Sequence, residues 1–204
     1  LTGEFWSGKT LHRSWTATLD PEASLPDADG LTVMREGYDK IDVSFPDLEG
    51  RMVSPTDEKY RNKVVILQLF GTWCPNCMDE TKFLVDWYER NKHRDVAIIG
   101  LAYETSPDFD YARDRVSRMA ERLGVKYDLV IAGTRDKESA SKTLPMLSSV
   151  GAFPTTIFIG RDGLVKKIHT GFTGPGTGRY YEEFVQEFDE YVNELLSEDI
   201  ASRR

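Results

Sequence analysis

Residues 63–80, KVVILQLFGTWCPNCMDE, run from a nearly unbroken β-branched and aliphatic segment straight into both cysteines of the chain. The segment up to Trp73 reads as a buried central strand, since a strand covered on both faces needs no alternation. After Cys74, residues 75–91 place Cys77, Thr81, Leu84 and Tyr88 near one helical face, with Phe83 and Trp87 beside it. A strand that feeds a helix through Cys-x-x-Cys sets Cys74 at or near the helix N-terminus. Unpaired N–H groups and the macrodipole there favour a thiolate, and thiol pKa values of roughly 3.5 to 7.5 occur at such positions. Cys77, three residues on, can reach Cys74 and close a small disulfide ring. Cys74 would attack a substrate disulfide and Cys77 would resolve the mixed disulfide.

Other chemistries of a cysteine pair fit less well. Haem attachment requires His after the second cysteine, and residue 78 is Met. Zinc requires further ligands, and His12, His93 and His169 are isolated along the chain. Two inert buried thiols are a poor account of a Trp-Cys-Pro-x-Cys run between a buried strand and a helix.

Outward from the pair, strands and helices alternate. IDVSFPDLEGRMVSP (41–55) alternates apolar and polar residues around Glu49-Gly50 and predicts a β-hairpin. VAIIGLAY (96–103) is a second buried strand, and DYARDRVSRMAERLG (110–124) a helix closed by Gly124. KYDLVIAG (126–133) predicts a short strand, and DKESASKTLPML (136–147) a helix interrupted near Pro145. PTTIFIG and LVKKIHT are two strands joined at Arg161-Asp162-Gly163. The final stripe of Tyr181, Phe184, Val185, Phe188, Val192, Leu195 and Leu196 has helical spacing. This order predicts an α/β fold: a central mixed β-sheet with helices on both faces.

Residues 1–40 differ. EFWSGKTLHRSWTATL (4–19) reads as one or two strands, and DPEASLPDADGLT (20–32) as a linker. The expected division is an N-terminal extension or linker over 1–40, which could equally be the end of an upstream domain, then a domain over 41–200 that opens with the 41–55 hairpin, and a tail over 201–204. With 204 residues and 40% apolar content, one sizeable core can form. No apolar run has transmembrane length. The charge of −8, from 26 basic and 34 acidic residues, comes without a basic cluster and argues against nucleic-acid binding. The opening LTGEFWSGKT has neither an initiating Met nor a signal-peptide pattern, so any targeting segment is expected outside this stretch.

Trp73-Cys74-Pro75-Asn76-Cys77 after VVILQLFGT, with Phe153-Pro154-Thr155 far downstream, resembles the thioredoxin superfamily. FPDLEGRMVS ahead of the core strand, Glu80 just past the motif and PTTIFIGRDGLV make its TlpA/ResA-like branch the nearer match, over residues 41 to about 200. The resemblance implies a thioredoxin-like fold and a protein thiol–disulfide oxidoreductase. It would act on protein thiols and disulfides, as a reductant, outside the cytoplasm. Bacterial relatives are periplasmic or membrane-anchored, fed by a membrane-linked electron donor. No cofactor beyond the redox-active disulfide is implied.

The same resemblance assigns site residues. Cys74 is the exposed nucleophile and Cys77 the resolving thiol. Pro154 matches a cis proline that lies against the pair, so that Phe153 offers its backbone to an extended substrate strand. Phe153 is bulkier than the usual residue there and narrows the substrate range. Glu80 matches an acid that borders the site and could take the Cys77 proton; the plainer reading is a solvated first-turn glutamate. Gln68 stands where thioredoxin carries a buried acid and cannot titrate. Trp73 is expected beside the sulfurs. Pro75 and Asn76 depart from the branch, which more often has Pro at the second inserted position. HTGFTGPGTG (169–178) lacks the lysine of a phosphate loop; it reads equally as one wall of the substrate groove, with Gly171 letting a partner backbone approach, or as a plain flexible turn.

Two rivals share this fold. A copper chaperone would use Cys74, Cys77 and His169, although such proteins usually space their cysteines one residue farther apart. A peroxidase would place its reactive cysteine in a different motif.

Overall fold

The structure, a computed structural model, describes residues 1–7, 11–24 and 27–198. The expected tail at 201–204 therefore lies outside the described residues. Val64–Phe70 forms the central strand β5, and all seven of its residues are buried. Val96–Glu104 (β6) and Asp128–Thr134 (β7) lie parallel to it on one side, while Thr155–Ile159 (β8) and Val165–Thr170 (β9) continue antiparallel on the other. The five-stranded order is β7-β6-β5-β8-β9.

Crossover handedness distributes the helices. Pro75–Asn91 (α1) and Phe109–Leu123 (α2) connect parallel strands that step the same way across the sheet, so right-handed crossovers put both on one face. Lys137–Thr143 (α3) belongs to the return step and covers the other face. Arg179–Ser197 (α4) joins α1 and α2, its Phe188, Val192 and Leu195 buried. The first face thus centres on Phe83, Leu84, Trp87, Val116, Phe158 and Phe188; the second on Leu67, Leu69, Ile99, Leu101, Leu144 and Ile157.

Local chemistry sets the ends of these elements. The Asp108 and Asp136 side chains accept N–H groups of the first turns of α2 and α3. Gly124 closes α2 at φ +72, where a side chain would be strained. Helix α3 stops at Thr143 because Leu144, preceding Pro145, is pushed out of the helical region, to φ −126° and ψ 65°. The short strands Phe45–Pro46 (β3) and Met52–Val53 (β4) pair antiparallel across the predicted turn, with Gly50 at φ +82. The other predicted turn also forms: Gly160 donates to Leu164 O between β8 and β9.

Thr2–Ser7 (β1) and Leu11–Thr16 (β2) form a separate two-stranded hairpin. Its Phe5, Trp6 and Trp15 are exposed, with Trp6 stacked on His12 at 3.8 Å. The segment after it returns to the sheet. Thr170 donates to Ala28 O, Val165 to Asp39 O and Arg35 to Met146 O, and Ile41 is buried in the second face.

Candidate active site

Parallel β5, β6 and β7 all point their C-terminal ends one way, and antiparallel β8 starts and β9 finishes at that same end. The chain leaves β5 through Gly71-Thr72-Trp73 and enters α1 at Cys74, its N-cap, with Pro75 at the first helical position. The Cys77 N–H donates to Cys74 Sγ over 3.2 Å, so a charge on that sulfur meets a backbone donor and the positive end of α1. Cys74 and Cys77 are joined as a disulfide, their Cα atoms 5.3 Å apart. Cys77 is fully buried. Cys74, expected as the exposed member, keeps only 6% of its surface, because its sulfur lies 3.7 Å from the Phe153 carbonyl oxygen.

The loop before Cys74 is anchored from β6. Buried Glu104 accepts the Thr72 N–H at 2.7 Å and the Thr72 hydroxyl at 2.8 Å. Arg115 on α2 stands 3.6 Å from the same carboxylate and donates to Thr72 Oγ1. Trp73 donates its indole N–H to Tyr103 O at 2.8 Å and meets Phe153 edge-on. The Arg135 guanidinium covers the Trp73 ring.

The Phe153–Pro154 bond is cis. Gly171, just past β9 at φ +98, donates to Pro154 O, and Asn76 donates to Phe172 O at 3.1 Å. Cysteine pair, Phe153-Pro154 and loop 171–178 thus meet at one end of the sheet. Trp73, Phe153 and Gly171 are half-buried there, and Pro75 and Asn76 are exposed.

Glu80 departs from the picture of a solvated first-turn residue: it is 1% exposed. One turn past Cys77 it faces the sheet, where Gln68 Nε2 donates to Oε2 at 2.8 Å and the Thr156 hydroxyl to Oε1 at 2.8 Å. Gln68 also bonds Thr81, whose hydroxyl donates to Cys77 O. Burial pushes the Glu80 carboxyl up to about 7; the two neutral donors pull it back only in part. An acid poised there can accept and return a proton at neutral pH. Asp79, by contrast, is half-exposed and pairs with Lys82.

His169 is not beside the cysteines as a copper site would require. It lies on β9 with Nδ1 2.8 Å from Asp29 Oδ1. Among the described residues, no group of three or more His, Cys, Asp or Glu side chains could hold a metal ion. Sequence reasoning missed Thr156 and Glu104. Alternation along PTTIFIG pairs Thr156 with Phe158 on the α1 face, and a glutamate ending the apolar run VAIIGLAY was a visible anomaly.

Residues 37–168 match the AhpC/TSA family. The chain is 32% identical over 140 residues to the thiol–disulfide oxidoreductase ResA of Geobacillus thermodenitrificans, covering 69% of this chain and 72% of that protein. ResA of Halalkalibacterium halodurans is 28% identical over 163 residues, 79% of each. Among solved structures, a thioredoxin-family thiol:disulfide interchange protein from Chlorobium tepidum superimposes with a TM-score of 0.58 at 18% identity. That likeness covers 80% of this chain and all of the other, and it shows the thioredoxin-like fold.

Proposed function

The chain belongs to the AhpC/TSA family, and from that premise we propose that it is a ResA-type thiol–disulfide oxidoreductase that reduces protein disulfides outside the cytoplasm. The observation that carries this reading is the buried Glu80 set behind a cysteine pair that caps a helix. Cys74, as thiolate, attacks one sulfur of the substrate disulfide. That bond breaks, and the other substrate sulfur leaves as a thiolate and takes a proton from water. Cys77 then gives its proton to Glu80 and attacks Cys74 Sγ. The mixed disulfide breaks, the second substrate sulfur leaves as a thiolate and takes a proton from water, and the enzyme has given up two electrons as its own disulfide closes.

The remaining residues have supporting roles in this proposal. The Phe153 carbonyl, beside Cys74 Sγ, marks where an extended substrate strand lies. Trp73 and the Phe153 ring form the walls of that groove, with Pro75, Asn76, Pro154 and Gly171 at its rim. Re-reduction falls to a membrane-linked dithiol donor, in keeping with the extracytoplasmic reading of ResA relatives. No described helix is long and apolar enough to cross a membrane.

The test is an equilibrium titration of the Cys74–Cys77 pair against glutathione and dithiothreitol buffers, read by thiol alkylation. A two-electron midpoint near the low end of the roughly −270 to −120 mV that Cys-x-x-Cys proteins span supports a reductant. A midpoint near the high end makes the protein an oxidant or isomerase, and failure to form an intramolecular disulfide would sink the reading.

A further inference from the structure

Most of the sheet face under α1 and α4 is apolar, but one row across it is not. The register sets Gln68 of β5 opposite Thr156 of β8, and Thr156 opposite His169 of β9, so all three side chains point to the same face. Glu80 lies over the inner end of this row, bonded to both Gln68 and Thr156. At the outer end Asp29 receives His169 Nδ1 and Lys167 Nζ, each at 2.8 Å. Thr156, Lys167 and His169 border a cavity of about 230 Å³, closed on its far side by Phe184, Glu187 and Tyr191 of α4. Phe158 and Phe188 share that lining, but a space of this size has room for several waters, and Thr156, Asp29, Lys167, His169 and Glu187 offer them polar partners.

We infer that this row is the path by which Glu80 exchanges its proton with solvent. Once Glu80 is protonated the Thr156 hydroxyl turns to accept from it, takes that proton while releasing its own to water in the cavity, and His169, oriented by Asp29, receives it and passes it outward. No bond other than O–H and N–H changes. The inference rests on Glu80 taking the Cys77 proton. Within one cycle that proton can return to Cys77 on re-reduction. Between cycles the oxidised protein waits for its donor, and a carboxyl sealed from water follows the surrounding pH only if a path leads out.

Charged neighbours suit the outer station. His169 is faced by Asp27 and Asp29 from the N-terminal segment, by Lys167 on its own strand, and by Glu187 and Tyr191 from α4. Burial alone would lift Asp29; hydrogen bonds from Lys167 and His169 outweigh it and hold the carboxylate below its usual range. Asp29 thus stays an acceptor that orients the imidazole.

The experiment is a pH jump on the oxidised protein, following the Glu80 carboxyl stretch by time-resolved infrared difference spectroscopy. The band is assigned by its loss in Glu80→Gln. His169→Phe keeps a ring but no titratable nitrogen, and protonation of Glu80 is expected to slow at least tenfold. In His169→Gly, added imidazoles should restore the rate in an order set by their own pKa values, which a purely structural histidine would not produce. Thr156→Val should slow exchange as well; if that variant does not fold, His169→Phe decides alone. Wild-type rates in His169→Phe would overturn the path and send the proton out past the cysteines. If instead Glu80→Gln resolves a mixed disulfide as fast as wild type, the reading of Glu80 as proton acceptor fails, and the exchange measurement still judges the path.

Discussion

Glu80 and Glu104 are both fully sequestered near the cysteine loop, yet they keep different company. Glu104 receives a backbone N–H, a hydroxyl and, at 3.6 Å, the Arg115 guanidinium. Glu80 receives one amide N–H and one hydroxyl, with no cation among its partners. Burial opposes the charge at both, but a guanidinium compensates it only at Glu104. The first carboxylate is built as an anchor for Thr72 and hence for Cys74, and the second as a group whose proton can move. Burial depth alone does not separate an anchor from a proton carrier; the charge of the partners does.

The harshest way to break this contrast is to remove the anchor. Glu104→Ala strands the Thr72 N–H, which typically costs about 1–3 kcal/mol, while the half-exposed Arg115 keeps its charge solvated. For a domain of this size the melting temperature should fall by roughly 5 °C. A thermal melt within about 2 °C of wild type would show that the Thr72 loop does not depend on Glu104.

Glu80→Gln should do the opposite. It removes a buried carboxyl while keeping a polar side chain of the same size, so stability at neutral pH should hold or rise. Resolution of a mixed disulfide should slow roughly 10²-fold, the low end of what a general base contributes. The pH dependence has a definite sign. The folded state raises Glu80 from 4.5 to about 7, so folding takes up a proton between those values. Stability therefore falls as pH rises through that window and is level above it. The shift corresponds to about 3 kcal/mol. Denaturant titrations from pH 4 to 8 should show this slope in wild type and lose it in Glu80→Gln; parallel curves would mean that Glu80 does not bind its proton more tightly when folded.

A subtler change sharpens the same point. Gln68→Leu takes away one of the two donors that oppose burial at Glu80, so the carboxyl should titrate at higher pH still. The inflection in the pH profile of disulfide resolution should move upward by the same amount, with maximal rate little changed. A downward or absent shift would mean that Gln68 acts on Cys77 and not on Glu80.

How much of this contrast the residues announce follows from the range of the interactions. Helix α1 spans Pro75–Asn91, the range its apolar spacing predicts, because periodicity and capping are local. The β8–β9 turn at 161–163 is local too. Glu80 carries no local sign of burial: its nearest polar partners are 12 and 76 residues away, and a carboxylate in the first turns of a helix is ordinarily a surface residue. Glu104 meets Thr72 across 32 residues, through parallel pairing that no short pattern encodes. The cysteine chemistry was legible because one strand–helix junction holds it. The carboxylate chemistry depends on which strands become neighbours, and that is settled only when the sheet assembles.

The smallest effect is expected at a contact that is neither buried nor charged. Asn76 donates to Phe172 O from an exposed position and ties the start of α1 to the loop after β9. Asn76→Ala should cost about 1 kcal/mol, the usual worth of one hydrogen bond with water as competitor. Amide exchange across residues 172–178 should quicken while the midpoint potential stays at the wild-type value. A changed potential would place Asn76 among the groups that tune Cys74. An unchanged exchange rate would mean that the loop is held without this bond, by the Gly171–Pro154 hydrogen bond and by the buried Phe172 ring packed on Phe83 of α1 and Phe184 of α4.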